Sequence, residues 1–436
     1  MLTRIDVRGV TRGLAELLPA PKADASGPVE VVREVLDRVR VEGDAAVRAY
    51  TKQFDGAAIA DVRVPAAQID AALASIDPDL RAALEAAAGA VADFHRHALA
   101  ATASPSTYER REGGGTVRVD TVFRPVERAG VYVPGGRARY PSSVIHTAGV
   151  ASVAGAGSVA LCSPPGPDGE IPAITLAAAA IVGVDEVYRV GGVQAVAMLA
   201  FGTESCRPVD VIAGPGNVYV ATAQREVAGR GLVGVPSAFA GPSEIVVLAD
   251  ETARVEYVAV DIILQAEHGP VGQSWVVTWS PDVADSVERE VERQVAAAPR
   301  RGDIEANFAQ GGYLVLCDGP EQACDVANVV AAEHLEILTA EPARLVRAIR
   351  HAGAIFCGPW TPSSVGDYAA GPSHVLPTAR TARFGSALSV RDFLKEVHVV
   401  GVDRPALDAL APTIETLAEA EGLVAHAESV ARRVRA

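Results

Sequence analysis

The stretch VAVDIILQAEHGP, residues 258–270, runs apolar and then ends in Gln265, Glu267 and His268 before Gly269-Pro270. Residues three apart share a helix face, so Gln265 and His268 point the same way and Glu267 does not. Gly-Pro is a strong helix stop. An amide and an imidazole therefore stand together at a last turn, where they can cap the helix or serve as ligands of a cation. Glu333-His334, at the expected junction of a helix (319–331) and a strand (335–340), are a second pair with chemical use. Imidazole is a ready general base near neutrality, and an adjacent carboxylate can polarise water. A surface ion pair is the plain alternative. His374 in GDYAAGPSHVLP and His426 in EAEGLVAHAE also sit in polar punctuation near carboxylates. Three or four such side chains make a zinc or proton-transfer site when a fold brings them together. His95 and His97, two apart in a charged helix, read as a solvated face. His146, His351 and His398 read as incidental.

Glycine-rich turns offer a second kind of chemistry. Gly155-Ala156-Gly157-Ser158-Val159-Ala160 is a formal GxGxxA. A dinucleotide loop must follow a strand and open a helix, and this one does the reverse, so it reads as a helix-to-strand turn. VPGGRARYPSS (133–143) and AGPGNVYVATAQRE (213–226) follow strand-like segments and precede helices. There Gly135-Gly136 and Gly214-Pro215-Gly216 allow a backbone to approach a ligand at strand ends, or serve as tight turns only.

These residues need a scaffold. Residues 1–26 form a Pro/Ala/Gly-punctuated lead-in, 29–100 are helical in pattern, and 112–134 alternate around Gly-Gly-Gly as strands or a hairpin. Strands are expected at 158–164, 186–192 and 209–214, and again at 243–250, 273–280, 311–318, 335–340 and 353–358, with helices between most of them. Such alternation implies parallel sheets with right-handed crossovers. The 29–100 block is expected to pack with the second series, and the tail from about 387 to hold two helices broken at Glu421-Gly422. The chain has 436 residues, 49 % hydrophobic and 21 % charged, with a net charge of −15. That size calls for more than one domain, and the acidic balance argues against nucleic acid. MLTRIDVRGV shows no signal peptide, and the longest apolar run, 171–184, is too short for a bilayer. The five cysteines form no CxxC pair and read as reduced thiols of a cytoplasmic protein.

VPGGRARYPSSV, GGVQAVAMLAFGTES, VDVIAGPGNVYV, AGPSEIVVLAD, QAEHGP, AEHLEI, GDYAAGPSHVLPT and EAEGLVAH occur in one order along nearly the whole chain. In these motifs the sequence resembles the histidinol dehydrogenase family. The resemblance implies two Rossmann-like α/β domains with parallel sheets, plus small N-terminal and helical C-terminal segments. It implies a zinc enzyme that oxidises L-histidinol to L-histidine through the aldehyde with two NAD. It also implies a homodimer in which one C-terminal segment completes the other subunit's site. Carried onto matching positions, Gln265, His268, Asp367 and His426 would hold one Zn2+ per subunit, and Glu333 and His334 would be the proton acceptors. Ser243, His374 and Glu421 would contact the substrate, together with the metal ligands and His334. Tyr132, Gln194 and Asn217 would contact NAD. The implied division is an arm at 1–26, a metal-binding catalytic domain at 27–130 with 245–386, an NAD domain at 131–244 and a helical segment at 387–436.

The sequence departs from the family pattern at Ile145-His146, where an apolar Leu-Met type pair is usual, and in the following residues to Gly149. Gln224 stands in place of a usual Lys, Pro236-Ser237 in place of Ile-Asp, and Ala332 in place of Pro before Glu333-His334. These changes cluster around the implied NAD domain and its junction with the metal domain. Two other functions stay open at this point: a zinc/NAD relative acting on another polar alcohol, and a non-catalytic binding protein on the same fold.

Overall fold

A computed structural model describes residues 1–20, 28–135, 139–236 and 241–435. Gly136, Ser237 and residues 21–26 of the lead-in lie outside these. The strands are β1 (Thr3–Asp6), β2 (Ser106–Glu112), β3 (Gly115–Pro125), β4 (Arg128–Tyr132), β5 (Ser158–Ser163), β6 (Glu186–Arg189), β7 (Val211–Ala213), β8 (Glu244–Ala249), β9 (Gln273–Thr278), β10 (Gly312–Leu316), β11 (His334–Leu338), β12 (Ala354–Cys357) and β13 (Leu394–Val402). The chain divides into two compact units, residues 1–96 with 127–393 and residues 97–126 with 394–436.

The first unit holds two parallel sheets. One has the order β1-β10-β9-β8-β11-β12, the other β6-β5-β4-β7. All their pairings are parallel. The strands at the centre of the larger sheet are buried on both faces, which is why they read as continuous apolar runs. Successive side chains feed opposite cores: Ile245, Val247 and Ala249 pack with helices Val255–Ala266 and Pro281–Ala297, while Val246 and Leu248 pack with Pro320–Val330. Chain order reverses between β8 and β11 in the large sheet and between β4 and β7 in the small one. The fold class is therefore the expected one, and each expected strand is present within a few residues.

Three features differ from expectation. The lead-in contributes β1, which pairs with β10 at the sheet edge. The helices of residues 29–75 do not pack on the large sheet. Val32, Val35, Leu36 and Val39 form one stripe of Val29–Glu42 and bury it against Val193, Val196 and Val220 beside the small sheet. Ile69 and Ala72 meet Leu176 and Ala179 on its other face. A helical stripe names its need for a partner but not which sheet supplies it.

The second unit pairs β13, β3 and β2 in an antiparallel sheet and adds helices Arg404–Ala420 and Val424–Val434. The tail's two helices break at Glu421-Gly422 as expected, with Gly422 at φ 73°, but β13 precedes them. Its alternation is hidden by valines that stay exposed. Among the described residues, no helix is long and apolar enough to cross a membrane.

Candidate functional site

The acid-base candidates meet at the amino-terminal ends of β8 and β11. Glu333 closes the turn after helix Pro320–Val330, and His334 is the first residue of β11. Both are buried. His334 Nδ1 lies 3.0 Å from the Gln265 amide nitrogen, 3.1 Å from the Glu244 carbonyl oxygen and 3.5 Å from Glu333 Oε2. The Glu244 carbonyl and the Glu333 carboxylate favour a proton on Nδ1, whereas the Gln265 amide nitrogen, a donor, favours a lone pair there, so either ring nitrogen can carry the proton. Nε2 lies 3.6 Å from Asp367 Oδ1 and, like Gln265 Oε1, is buried without a hydrogen-bond partner. Glu333 Oε2 accepts the backbone N–H of Glu244 at 3.0 Å.

Burial opposes charge on His334, but the Glu333 and Asp367 carboxylates outweigh it and lift the imidazole to about 10. Burial and the Glu333 charge raise Glu244 to about 8. For Asp367, burial pushes upward, yet His334, His374 and His268 hold the carboxyl below its ordinary value.

Helix Val255–Ala266 ends just ahead of His268, which stands exposed in the turn. The turn is pinned: Asn307 Nδ2 donates to Gly269 O at 2.9 Å, and Gly269 takes φ 149°, a glycine conformation. Gln265 is buried one turn earlier. Among the described residues no three His, Cys, Asp or Glu side chains converge as a ready metal cage. Within this unit the available donors are the neutral Gln265 amide, His268 and Asp367. Ser243, half-buried, precedes β8.

His374 joins the two sheets' layers. Its Nδ1 lies 3.1 Å from Asp367 O and its Nε2 3.3 Å from Ser143 Oγ. Its ring stacks on His146 at 4.2 Å and 18°, and its backbone N–H donates to His146 Nδ1 at 3.4 Å. Ser373 Oγ donates to His146 O at 2.9 Å. His146, read as incidental, is thus a fully buried part of this seam, on a π-helical turn at Ile145–Gly149. His95 is likewise buried, not on a solvated face. The i,i+2 rule separated it correctly from exposed His97 but could not say which of the two turns inward.

The cofactor candidates gather at the carboxyl ends of the small sheet. Tyr132 ends β4, and its hydroxyl accepts the Gly192 N–H at 3.2 Å; burial pushes the phenol up to about 12. Gln194 is fully buried, donates to Asp55 Oδ2 at 3.4 Å, and keeps Oε1 without a partner. Burial raises Asp55 to about 6. Asn217 is exposed and caps helix Val218–Gly229 by accepting from Tyr219 N at 3.0 Å and Val220 N at 3.2 Å. Gly214 takes φ 121°, and a Cβ there would lie 2.1 Å from Tyr132 O. Gln224 donates to Gly214 O at 3.1 Å, so it braces this turn from beneath. The GxGxxA stretch is a helix-to-strand turn, as expected.

Glu421 and His426 belong to the second unit, exposed at the turn between its two helices and in the first turn of the last one. Glu244, Asp55 and His146 escaped the sequence reading. A lone Glu opening an apolar run, or a lone Asp in KQFDG, carries no spacing signal.

A family model described as histidinol dehydrogenase matches residues 19–434. A histidinol dehydrogenase of Parasynechococcus marenigrum is 45 % identical over 94 % of this chain and 91 % of its own length. One of Streptomyces avermitilis is 45 % identical over 99 % of this chain and 98 % of its own. The crystal structure of histidinol dehydrogenase from Elizabethkingia anophelis superposes with a TM-score of 0.92 at 32 % identity, covering 100 % of this chain and 98 % of that one. A salicylaldehyde dehydrogenase from Pseudomonas putida G7 shares the fold alone, at TM-score 0.51 and 12 % identity over 84 % of this chain and 90 % of that one. Residue types, order and architecture agree, and the chain belongs to the histidinol dehydrogenase family.

Proposed function

We propose that this chain oxidises L-histidinol to L-histidine through the aldehyde, a four-electron reaction using one zinc ion per subunit and two NAD. The observation that carries the reading is the set at the amino ends of β8 and β11, buried except for half-buried Asp367. Glu333, His334, Gln265 and Asp367 converge there, and Gln265 Oε1 and His334 Nε2 lack partners. An amide oxygen, an imidazole and a carboxylate suit zinc, and a buried oxygen without a partner fits a cation neighbour. Gln265, His268 and Asp367 would hold the metal, with His426 as the fourth ligand from the C-terminal segment.

When bound, zinc supplies a fixed positive centre that orients the substrate's amino and imidazole nitrogens, and NAD supplies the hydride acceptor. His334 takes the hydroxyl proton at Nε2. Glu333 and then Asp367 favour its protonated form, and a cation held by Asp367 would draw that carboxylate's charge away from His334. Glu333 accepts a proton from the water that hydrates the aldehyde, so one added water oxygen ends in the product carboxylate. His374 and Ser243 line the substrate, and Glu421 accepts a hydrogen bond from its amino or imidazole N–H. Tyr132, Gln194 and Asn217 contact NAD at the small sheet, where a glycine turn opens a helix N-terminus suited to phosphate.

In this reading the small sheet of residues 131–244, with the helices of residues 29–75 packed against it, binds NAD, the large sheet carries the metal centre, and 387–436 complete a partner subunit's site. The exposed apolar side chains of the second unit support a homodimer: Val397, Val399, Val400, Leu417, Leu423 and Val424 face outward. The five cysteines are free thiols, consistent with the cytoplasm. The test is the NADH yield per L-histidinol consumed by the purified zinc-loaded protein. Two is the expected result; one, with the aldehyde accumulating, overturns the four-electron assignment.

A further inference from the structure

The first unit contains an open pocket of about 460 Å3 that none of the roles above uses, with Arg12, Arg350 and Arg383 exposed at it and Arg380 half-buried. It lies between the loop after β1, helix Pro320–Val330, the segment before β12 and the turn after His374. Its walls include Arg12, Arg350, Arg380 and Arg383, with Asp325 as the single carboxylate among the lining residues. Elsewhere on this acidic chain, arginines such as Arg4, Arg33, Arg254 and Arg293 take carboxylate partners. Among the described residues these four do not. Arg383 Nε donates to Arg380 O at 3.2 Å, and no other side-chain bond engages their guanidinium groups. Arg380 Nε is buried without any partner.

The pocket is framed by neutral side chains bonded to backbone groups. Gln322 donates to Val7 O and Val10 O at 2.8 and 3.0 Å, fixing the loop that carries Arg12. Asn328 accepts from the backbone N–H of Arg350 at 2.6 Å and of His351 at 3.3 Å, and donates to Ala348 O at 3.0 Å. That fixes Arg350. The third anchor is strained. Ala379 and Arg380 have φ of 52° and 65°, left-handed conformations that favour glycine. The Ala379 N–H donates to Glu244 Oε2 at 3.1 Å, which ties the turn down. Left-handed strain at non-glycine residues clusters at functional sites, and here it holds Arg380 in the pocket wall.

We propose that this cavity is an anion site for a small phosphate-bearing molecule. Four guanidinium groups against one carboxylate leave an excess of three positive charges, and guanidinium forks match phosphate oxygens. The volume suits a small organic ligand. Val10, Leu14 and Val329 give one apolar wall for its carbon skeleton.

The test is direct binding to the full-length, zinc-loaded protein, read by calorimetry and by the phosphorus NMR linewidth. The probes are inorganic phosphate and glycerol 3-phosphate, each with and without saturating NAD and L-histidinol. Saturable binding that persists with NAD and L-histidinol present is expected. Arg380→Gly and Arg350→Ser should each weaken it about tenfold or more, the loss of about 1.4 kcal/mol. Arg380→Gly relieves the left-handed strain, so its thermal midpoint without phosphate should not fall, and lost binding then reports the site rather than unfolding. Tighter binding of the ester assigns the apolar wall to an organic skeleton; tighter binding of inorganic phosphate assigns the cavity to the free ion. Absence of saturable binding by both probes, displacement by NAD, or unchanged affinity in both variants overturns the proposal.

Discussion

The two parallel sheets of the first unit present their candidate residues at opposite ends. In the small sheet they gather at the carboxyl ends of β4, β6 and β7, around the reversal of chain order between β4 and β7. This is the usual ligand crevice of an open α/β sheet, and backbone does much of the work there. Gly192 N–H meets Tyr132, Gly214 fits against the β4 backbone, and Asn217 caps a helix. In the large sheet the reversal lies between β8 and β11, but Glu333, His334 and Glu244 stand at the amino ends. Nothing in the wound-sheet rule predicts that edge. What defines it is buried side chains whose charges act on one another. In the proposed function, the fold's own crevice would take the cofactor, while the chemistry would be built by side chains at the edge the fold does not favour.

Substitutions should separate the two edges kinetically. The largest effect is expected from His334→Asn, which keeps a polar side chain but removes the exchangeable proton. Turnover of L-histidinol should fall by roughly 10²–10⁴-fold with KM for NAD little changed. A large rise in KM for NAD would mean that the edges are not functionally distinct. Next comes the metal. Gln265→Ala should lower zinc content after dialysis and turnover together, on the order of a hundredfold, and added zinc should restore part of the rate. Full zinc occupancy in the variant removes Gln265 from the ligand set. At the other edge, Gln194→Ala leaves Asp55 without its amide donor, and KM for NAD should rise roughly tenfold with turnover within about twofold.

Much of the fold was legible because parallel strands buried on both faces read as short apolar runs, as in SEIVVLAD and QSWVVTWS. The proposed acid-base pair stood out for another reason: Glu333-His334 breaks the apolar pattern at an element junction, and Gln265 and His268 break it at a helix end. Roles at distance were not legible. His146 shows why. It replaces an apolar residue of the family pattern, and in isolation reads as noise, because its partner His374 lies far along the chain. Burial of residues 29–75 against the small sheet is hidden likewise, since an amphipathic stripe carries no address.

His146 also offers a smaller test, at the seam between the two layers. His146→Leu removes a buried Nε2 that has no partner, a feature that costs about 1–3 kcal/mol, and fills similar space. The same change deprives His374 of its stacked ring and of the acceptor for its N–H. The unpaired Nε2 removed and the His374 N–H left unpaired offset each other, so the variant should melt close to the parent and turn over roughly threefold to tenfold more slowly. A fully active variant would show that the seam does not position His374.

The smallest effect concerns His95, close enough to this seam for its charge to bear on His146. Its ring is buried in helix Pro78–Thr102 with both nitrogens lacking partners and with Phe94 edge-on at 5.0 Å. Burial lowers its value from 6.5 to about 4. Between those values the unfolded chain binds the proton and the folded chain does not, so stability rises with pH across this window. The contribution is complete above 6.5 and is lost as pH falls towards 4. His95→Phe removes the titration, and its melting temperature should decline less than that of the parent between pH 6.5 and 5, a difference on the order of 1–2 °C. Equal decline in both proteins would show that protonation of His95 is not what weakens the unit in this window.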